Sequence, residues 1–148
     1  MDDLDHQIIA QLFDDGRASF RQVGQAVGLS APAVKRRVDR LRRDGVVKGF
    51  TAVVEAGAMG LAVEAFVELY CRGRTSPADL KQLAGRHPQV RAAWTVSGDG
   101  DAILHVQAAS IGSLEKVLER IREHPSVDHT RSVIVLSTLL ERPTAAAG

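Results

Sequence analysis

Apolar positions in the first third of the chain recur at helical spacing. Leu4, Ile8, Ile9, Leu12 and Phe13 line one side of a helix predicted over residues 3–15, with Asp2 or Asp3 placed to cap it and Gly16 to end it. Ser19-Phe20-Arg21-Gln22 has capping-box spacing: the serine hydroxyl accepts from the backbone at Gln22 while the glutamine reaches back, so a short second helix should run from Phe20 to about Val27. Gly28 permits a left-handed turn, Leu29 plugs the junction, and Ser30 caps a third helix that tolerates Pro32 in its first turn and should end at Gly45. Its inward stripe is Val34, Val38 and Leu41. The β-branched run Val46–Val54 predicts an extended strand, and the pattern lapses over Glu55–Gly60.

From Val63 the period becomes two. Val63, Ala65, Val67, Leu69 and Cys71 alternate with Glu64, Phe66, Glu68, Tyr70 and Arg72, the pattern of a strand with one apolar face. Ser76-Pro77-Ala78-Asp79 opens a helix that buries Leu80, Leu83 and Ala84 and stops at His87-Pro88. Strands are predicted from Val90 to Ser97 and from Asp101 to Ala109, joined by a short turn at Gly98-Asp99-Gly100. A helix from Ile111 to Glu123 and a long last strand from Val127 to about Leu140 follow. His-Pro-x-Val closes a helix and opens a strand at both His87 and His124, so this part reads as a weak repeat of strand, helix, strand. Two such units give βαββαβ, a ferredoxin-like arrangement with both helices on one sheet face. The other face carries Phe66 and Tyr70 and should pair with a second copy of the chain.

The fold class predicted is therefore α+β: a winged helix-turn-helix over 1–50, a hinge strand and linker over 51–62, a ferredoxin-like domain over 63–142 and a frayed tail over 143–148. A formal charge of only +1 removes a generally polycationic nucleic-acid coat, so any nucleic-acid binding must rest on locally placed charge. The third helix supplies it in Lys35, Arg36, Arg37, Arg40, Arg42 and Arg43, opposed only by Asp39 and Asp44. The acidic N-terminus, with Asp2, Asp3 and Asp5, is unlike a secretory signal, and no apolar run approaches a membrane span, so a cytoplasmic protein is expected. The single cysteine, Cys71, alternates with core positions and reads as packed. His87 and His124 sit at helix ends, His105 and His129 fall on strands, and no nucleophile, base and orienting group or metal-ligand set can be assembled from the spacing. No enzyme and no cofactor is expected.

Two helices meeting at a glycine turn, the second basic, suit a helix that enters the major groove of double-stranded DNA. The expected readers are Ser30, Ala31, Ala33, Lys35, Arg36, Arg37 and Arg40, with Arg42, Arg43 and Lys48 nearer the phosphates. Leu4-Asp5, Val27-Gly28-Leu29-Ser30, Arg37-Val38 with Leu41, and Gly45-Val46-Val47 with Phe50-Thr51-Ala52 resemble the Lrp/AsnC, or feast/famine, transcriptional regulators. The resemblance continues through Gly60, Pro88-Gln89-Val90, and Gly98 with Asp101. It implies an N-terminal DNA-binding domain and a C-terminal domain that dimerises, assembles further toward octamers, and binds small effectors, commonly amino acids. Gly24 departs from the family's usual alanine, an exchange expected to be tolerable.

Gly98 and Gly100 leave backbone N–H groups open to a carboxylate, and an acidic neighbour suits an ammonium group, although the same residues also fit a plain hairpin turn. The resemblance implies an effector loop there, so Trp94, Thr95, Val96, Ser97, Gly98, Asp99, Gly100 and Asp101 are the expected site, with Leu136, Ser137 and Thr138 contributed by a neighbouring dimer. Gly100 stands where the family motif commonly has a bulky residue. The reading is a sequence-specific DNA-binding regulator modulated by a small effector; the alternative is an architectural protein of the same fold that compacts DNA without one.

Overall fold

Each helix of the N-terminal region starts where a side chain can satisfy its free backbone N–H groups. The computed structural model describes residues 1–140, which form two compact units built on residues 1–53 and 54–139. The first holds α1 (Asp3–Asp14), α2 (Phe20–Val27) and α3 (Ala31–Arg43). Asp2 and Asp5 form a reciprocal capping box, Asp5 N–H donating to Asp2 Oδ1 at 2.9 Å and Asp2 N–H to Asp5 Oδ2 at 3.0 Å. Ser19 and Gln22 do the same for α2. Ser30 accepts from Ala33 N–H at 3.4 Å and starts α3. Ile8, Val23, Val34 and Val38 are buried together, with Leu12, Phe20, Val27 and Leu29 packed around them. Each such buried aliphatic side chain stabilises the unit by roughly 1.5–3 kcal/mol.

The turn between α2 and α3 is set by two glycines. Gly28 ends α2 in a left-handed conformation, φ 72°, which an L side chain rarely adopts. Gly24 is buried, and a Cβ built there would stand 2.4 Å from the Leu29 carbonyl oxygen. On this backbone glycine and alanine are not freely exchanged, because the α2–α3 crossing would have to open to admit a methyl group.

Past Gly45 the expected strand over 46–54 and hinge strand within 51–62 do not form among the described residues. β-branched residues favour extended backbone, but a strand needs a ladder partner, and none pairs with this segment among the described residues. Val53 is consequently 99% exposed, and no β-ribbon wing follows α3 among the described residues. A short 3₁₀ turn occupies Ala56–Met59.

The second unit contains β1 (Val63–Cys71), α4 (Pro77–Gly85), β2 (Val90–Thr95), β3 (Ala102–Ala108), α5 (Ile111–Arg122) and β4 (Val127–Ile134). The strands form one antiparallel sheet of order β2-β3-β1-β4, the ferredoxin-like topology of βαββαβ. Ala65 lies opposite Val106 and Val67 opposite Leu104, so the inward residues of the central strands meet in register. With Leu80, Leu83, Leu114, Val117 and Ile121 from the helices they form the core. The opposite face is open: Phe66 stacks on His105 with ring centroids 5.1 Å apart, and Tyr70 on His129 at 4.2 Å.

The last strand is shorter than predicted. Its ladder with β1 ends where Ile134 faces Ala65, and Val135 N–H makes a final bond to Glu64 O at 2.9 Å. β1 begins at Val63, so Leu136 onward has no strand to pair with, and Leu136 and Leu139 are 95% and 94% exposed. The tail predicted over 143–148 lies outside the described residues.

Replacing Gly24 by valine should destabilise the N-terminal unit by more than about 2 kcal/mol, because backbone, not a flexible side chain, blocks the added atoms. Thermal unfolding followed by circular dichroism checks this; an unchanged melting temperature would show that the crossing is looser than described.

Candidate nucleic-acid interface and effector loop

The inward stripe Val34, Val38 and Leu41 fixes which side of α3 faces the helical core. The charged residues do not all share one fate. Arg36, Arg42, Arg43 and Lys48 are exposed and, among the described residues, make no salt bridge. Lys35 is exposed and bonds Asp39 one turn on, Nζ to Oδ2 2.6 Å, a surface pair of small energetic weight. Ser30 is exposed at the helix start, and Ala31 and Ala33 are half-buried.

Arg37 and Arg40, expected among the readers, are committed elsewhere. Arg37 Nη1 donates to Asp2 Oδ1 and Oδ2 at 2.8 and 2.7 Å and to Asp5 Oδ1 at 2.8 Å. Arg40 Nη2 donates to Asp5 Oδ1 and Oδ2 at 2.7 and 2.6 Å. Asp5 is completely buried and accepts from the Asp2 backbone as well, so its carboxylate is satisfied on every side. The sequence reading missed this role of Asp2 and Asp5. The available signal was an aspartate one turn before Ile8 on the apolar stripe of α1, a position that demands a cationic partner.

These contacts set the titration of both acids. The Arg37 guanidinium, with the Asp5 backbone N–H, lowers the Asp2 carboxyl to about 2. Burial pushes Asp5 up, but the Asp2 N–H, Arg37 and Arg40 outweigh it and hold Asp5 below its usual range.

In the second unit the loop between β2 and β3 is anchored by Asp101. Its N–H donates to Leu69 O at 2.8 Å, and its Oδ2 accepts from Cys71 N–H at 2.7 Å, so one carboxylate oxygen is already engaged with β1. The Val96 N–H to Asp101 O bond is long at 3.4 Å. Ser97, Gly98 and Asp99 are exposed, Val96 and Asp101 half-buried, and Gly100 is buried. Trp94 and Thr95 are exposed at the end of β2 and border a cleft of about 560 Å³ beneath it, lined also by Leu80, Lys81, Ala84, Ala93, Ala102 and Leu104. Leu136, Ser137 and Thr138 lie past the end of β1 opposite to the loop, so a single chain does not bring them to it. Burial raises the Cys71 thiol pKa, which keeps the sulfur protonated. Among the described residues no helix is long and apolar enough to cross a membrane.

A capped three-helix unit with a close α2–α3 crossing and an exposed basic helix is a helix-turn-helix head, and the chain is a DNA-binding protein of that class. Residues 1–42 match the AsnC-type helix-turn-helix domain and residues 64–145 the Lrp/AsnC ligand binding domain. The chain belongs to the Lrp/AsnC family and is a transcriptional regulator. It is 48% identical to the HTH-type transcriptional regulator Rv2324 of Mycobacterium tuberculosis over 142 residues, 96% of each protein. The crystal structure of the leucine response regulatory protein LrpA of that organism superposes with a TM-score of 0.89 at 32% identity, covering 99% of this chain and 100% of that one. A feast or famine regulatory protein of M. tuberculosis complexed with L-methionine gives a TM-score of 0.91 at 34% identity, with 99% of both chains covered.

Acid should loosen the DNA-binding head. Asp2 and Asp5 titrate lower in the folded chain than the ordinary 3.8, so their stabilisation is complete above about pH 4 and is lost at lower pH, for Asp2 as pH falls through about 2. Asp5→Ala should lower stability at pH 7 by about 1–3 kcal/mol and flatten that acid limb. Urea unfolding between pH 2 and 7 measures both; equal acid limbs in the two proteins would contradict the assignment.

Proposed function

We propose that the chain is a sequence-specific, effector-modulated regulator whose copies pair through the open sheet face and present two α3 helices to one DNA site. The observation that carries the DNA-reading half is the division of labour on α3. Arg37 and Arg40 brace the helix against α1, while Ser30, Lys35 and Arg36 on its first half, and Arg42, Arg43 and Lys48 beyond, remain directed to solvent. The first group suits base edges and the second phosphates. One head carries few free charges, so affinity and register come from pairing two of them.

Pairing is supported by the open face of the sheet, where Phe66, Trp94 and Val133 are exposed, each by 38% or more, on strands whose other face is core. The effector reading rests on the loop around Gly98–Asp101 and on the relative complexed with L-methionine. An amino acid presents a carboxylate to the loop's backbone N–H groups and an ammonium to its acids. Leu136, Ser137 and Thr138 would then come from another copy, which is how binding would couple to assembly. A DNA-binding protein of this kind acts in the cytoplasm.

Arg36→Ala should cost about 1–3 kcal/mol of affinity for the preferred site and relax its sequence preference, leaving the sedimentation coefficient of the free protein unchanged. Arg43→Ala should flatten the dependence of log affinity on log salt by about 1. Gel shifts at several salt concentrations separate the two. Wild-type affinity in both variants would remove α3 from the interface, and a monomer by sedimentation would remove the pairing.

A further inference from the structure

The effector loop lacks a side chain at Gly100, yet Gly100 is buried. What covers it is Glu68 of β1: a Cβ at residue 100 would stand 2.7 Å from Glu68 Cγ and 3.0 Å from its Oε1. The space that a larger residue at this place would fill is therefore occupied by an acid from the neighbouring strand. Glu68 has an alternative partner and does not take it. Arg131 on β4 lies directly across the ladder from Glu68 and lines the same shallow hollow on the open face, but no salt bridge joins them within 4.0 Å among the described residues. Glu68 lies along Gly100 instead, while remaining near enough to Tyr70 to be the main influence raising that phenol's pKa.

Other groups near the loop do not neutralise it. Asp99 is exposed in the loop, and Asp101 has one oxygen on the Cys71 amide. Ile103, opposite Glu68 on β3, is apolar. A ligand held by the loop's backbone would meet, on the side of residue 100, the Glu68 side chain that covers Gly100.

We infer that Glu68 stands in for the side chain absent at Gly100 and selects, at the effector loop, an amino acid whose own side chain carries a cation. This rests on the effector reading above and deepens it. Aliphatic and thioether side chains, such as that of the methionine bound by the relative, would press a carboxylate against apolar surface and leave it without a partner, an unfavourable exchange of water for hydrocarbon. A lysine or arginine side chain would replace that water with a charge-assisted hydrogen bond.

The test is calorimetric titration and thermal shift of the full chain with lysine, arginine, methionine and leucine, on wild type, Glu68→Gln and Asp101→Ala. Glutamine keeps the shape over Gly100 and removes the charge. The expected result is wild-type affinity for lysine or arginine at least about tenfold above that for methionine and leucine, a preference that Glu68→Gln abolishes while still binding, and no binding to Asp101→Ala. Equal preference in wild type and Glu68→Gln, or a wild type that favours methionine or leucine, overturns the role of Glu68 and leaves the effector loop standing. A wild type that responds to none of the four overturns both.

Discussion

A single buried carboxylate orders the DNA-binding head. Asp5 is removed from water, which is tolerable only because Arg37, Arg40 and the Asp2 amide surround it. The same bonds tie the start of α1 to the middle of α3, and with the stripe Val34, Val38 and Leu41 they fix how α3 is rotated about its axis. Two arginines thereby become scaffold. The remaining cations keep one direction, outward, because turning the helix would strand a buried acid. A recognition helix must present its side chains at a fixed angle to the groove, and here an ion-pair cluster and an apolar stripe impose that angle together.

The C-terminal unit solves a different problem with related means. Its sheet is closed on one face by α4 and α5 and left open on the other, and the β2–β3 loop is pinned to β1 through Asp101. Pinning leaves the glycine-bearing part of the loop to be shaped by what lies beneath it, which is Glu68. In both units an acid that reads as a surface charge in the sequence is instead a spacer that determines where other groups point. Asp5 decides which arginines face outward, and Glu68 covers the loop at Gly100.

Much of the fold was legible because its determinants are local. An N-cap aspartate before α1, capping boxes at Ser19–Gln22 and Ser76–Asp79, helical apolar spacing and the alternation from Val63 each declare an element within a few residues. The failures were nonlocal. Val46–Val54 has strand composition but no ladder partner among the described residues, and the last strand stops at Ile134 because β1 has run out opposite it. For the site, a basic helix could be named but its arginines could not be sorted, since Arg37 and Arg40 find Asp5 across more than thirty residues of sequence. The crowding at Gly24 is invisible in the sequence, because the Leu29 carbonyl approaches it only once α2 and α3 cross.

If two outward-facing α3 helices act together on one DNA sequence, the protein must prefer paired half-sites. Selection of binding sites from a random-sequence duplex pool by the purified full chain tests it most directly. The account predicts enrichment of an inverted repeat whose half-site centres lie about 10–10.5 base pairs apart, or a multiple of that spacing. A pool that retains binding but enriches no sequence, or only an isolated half-site, would contradict it.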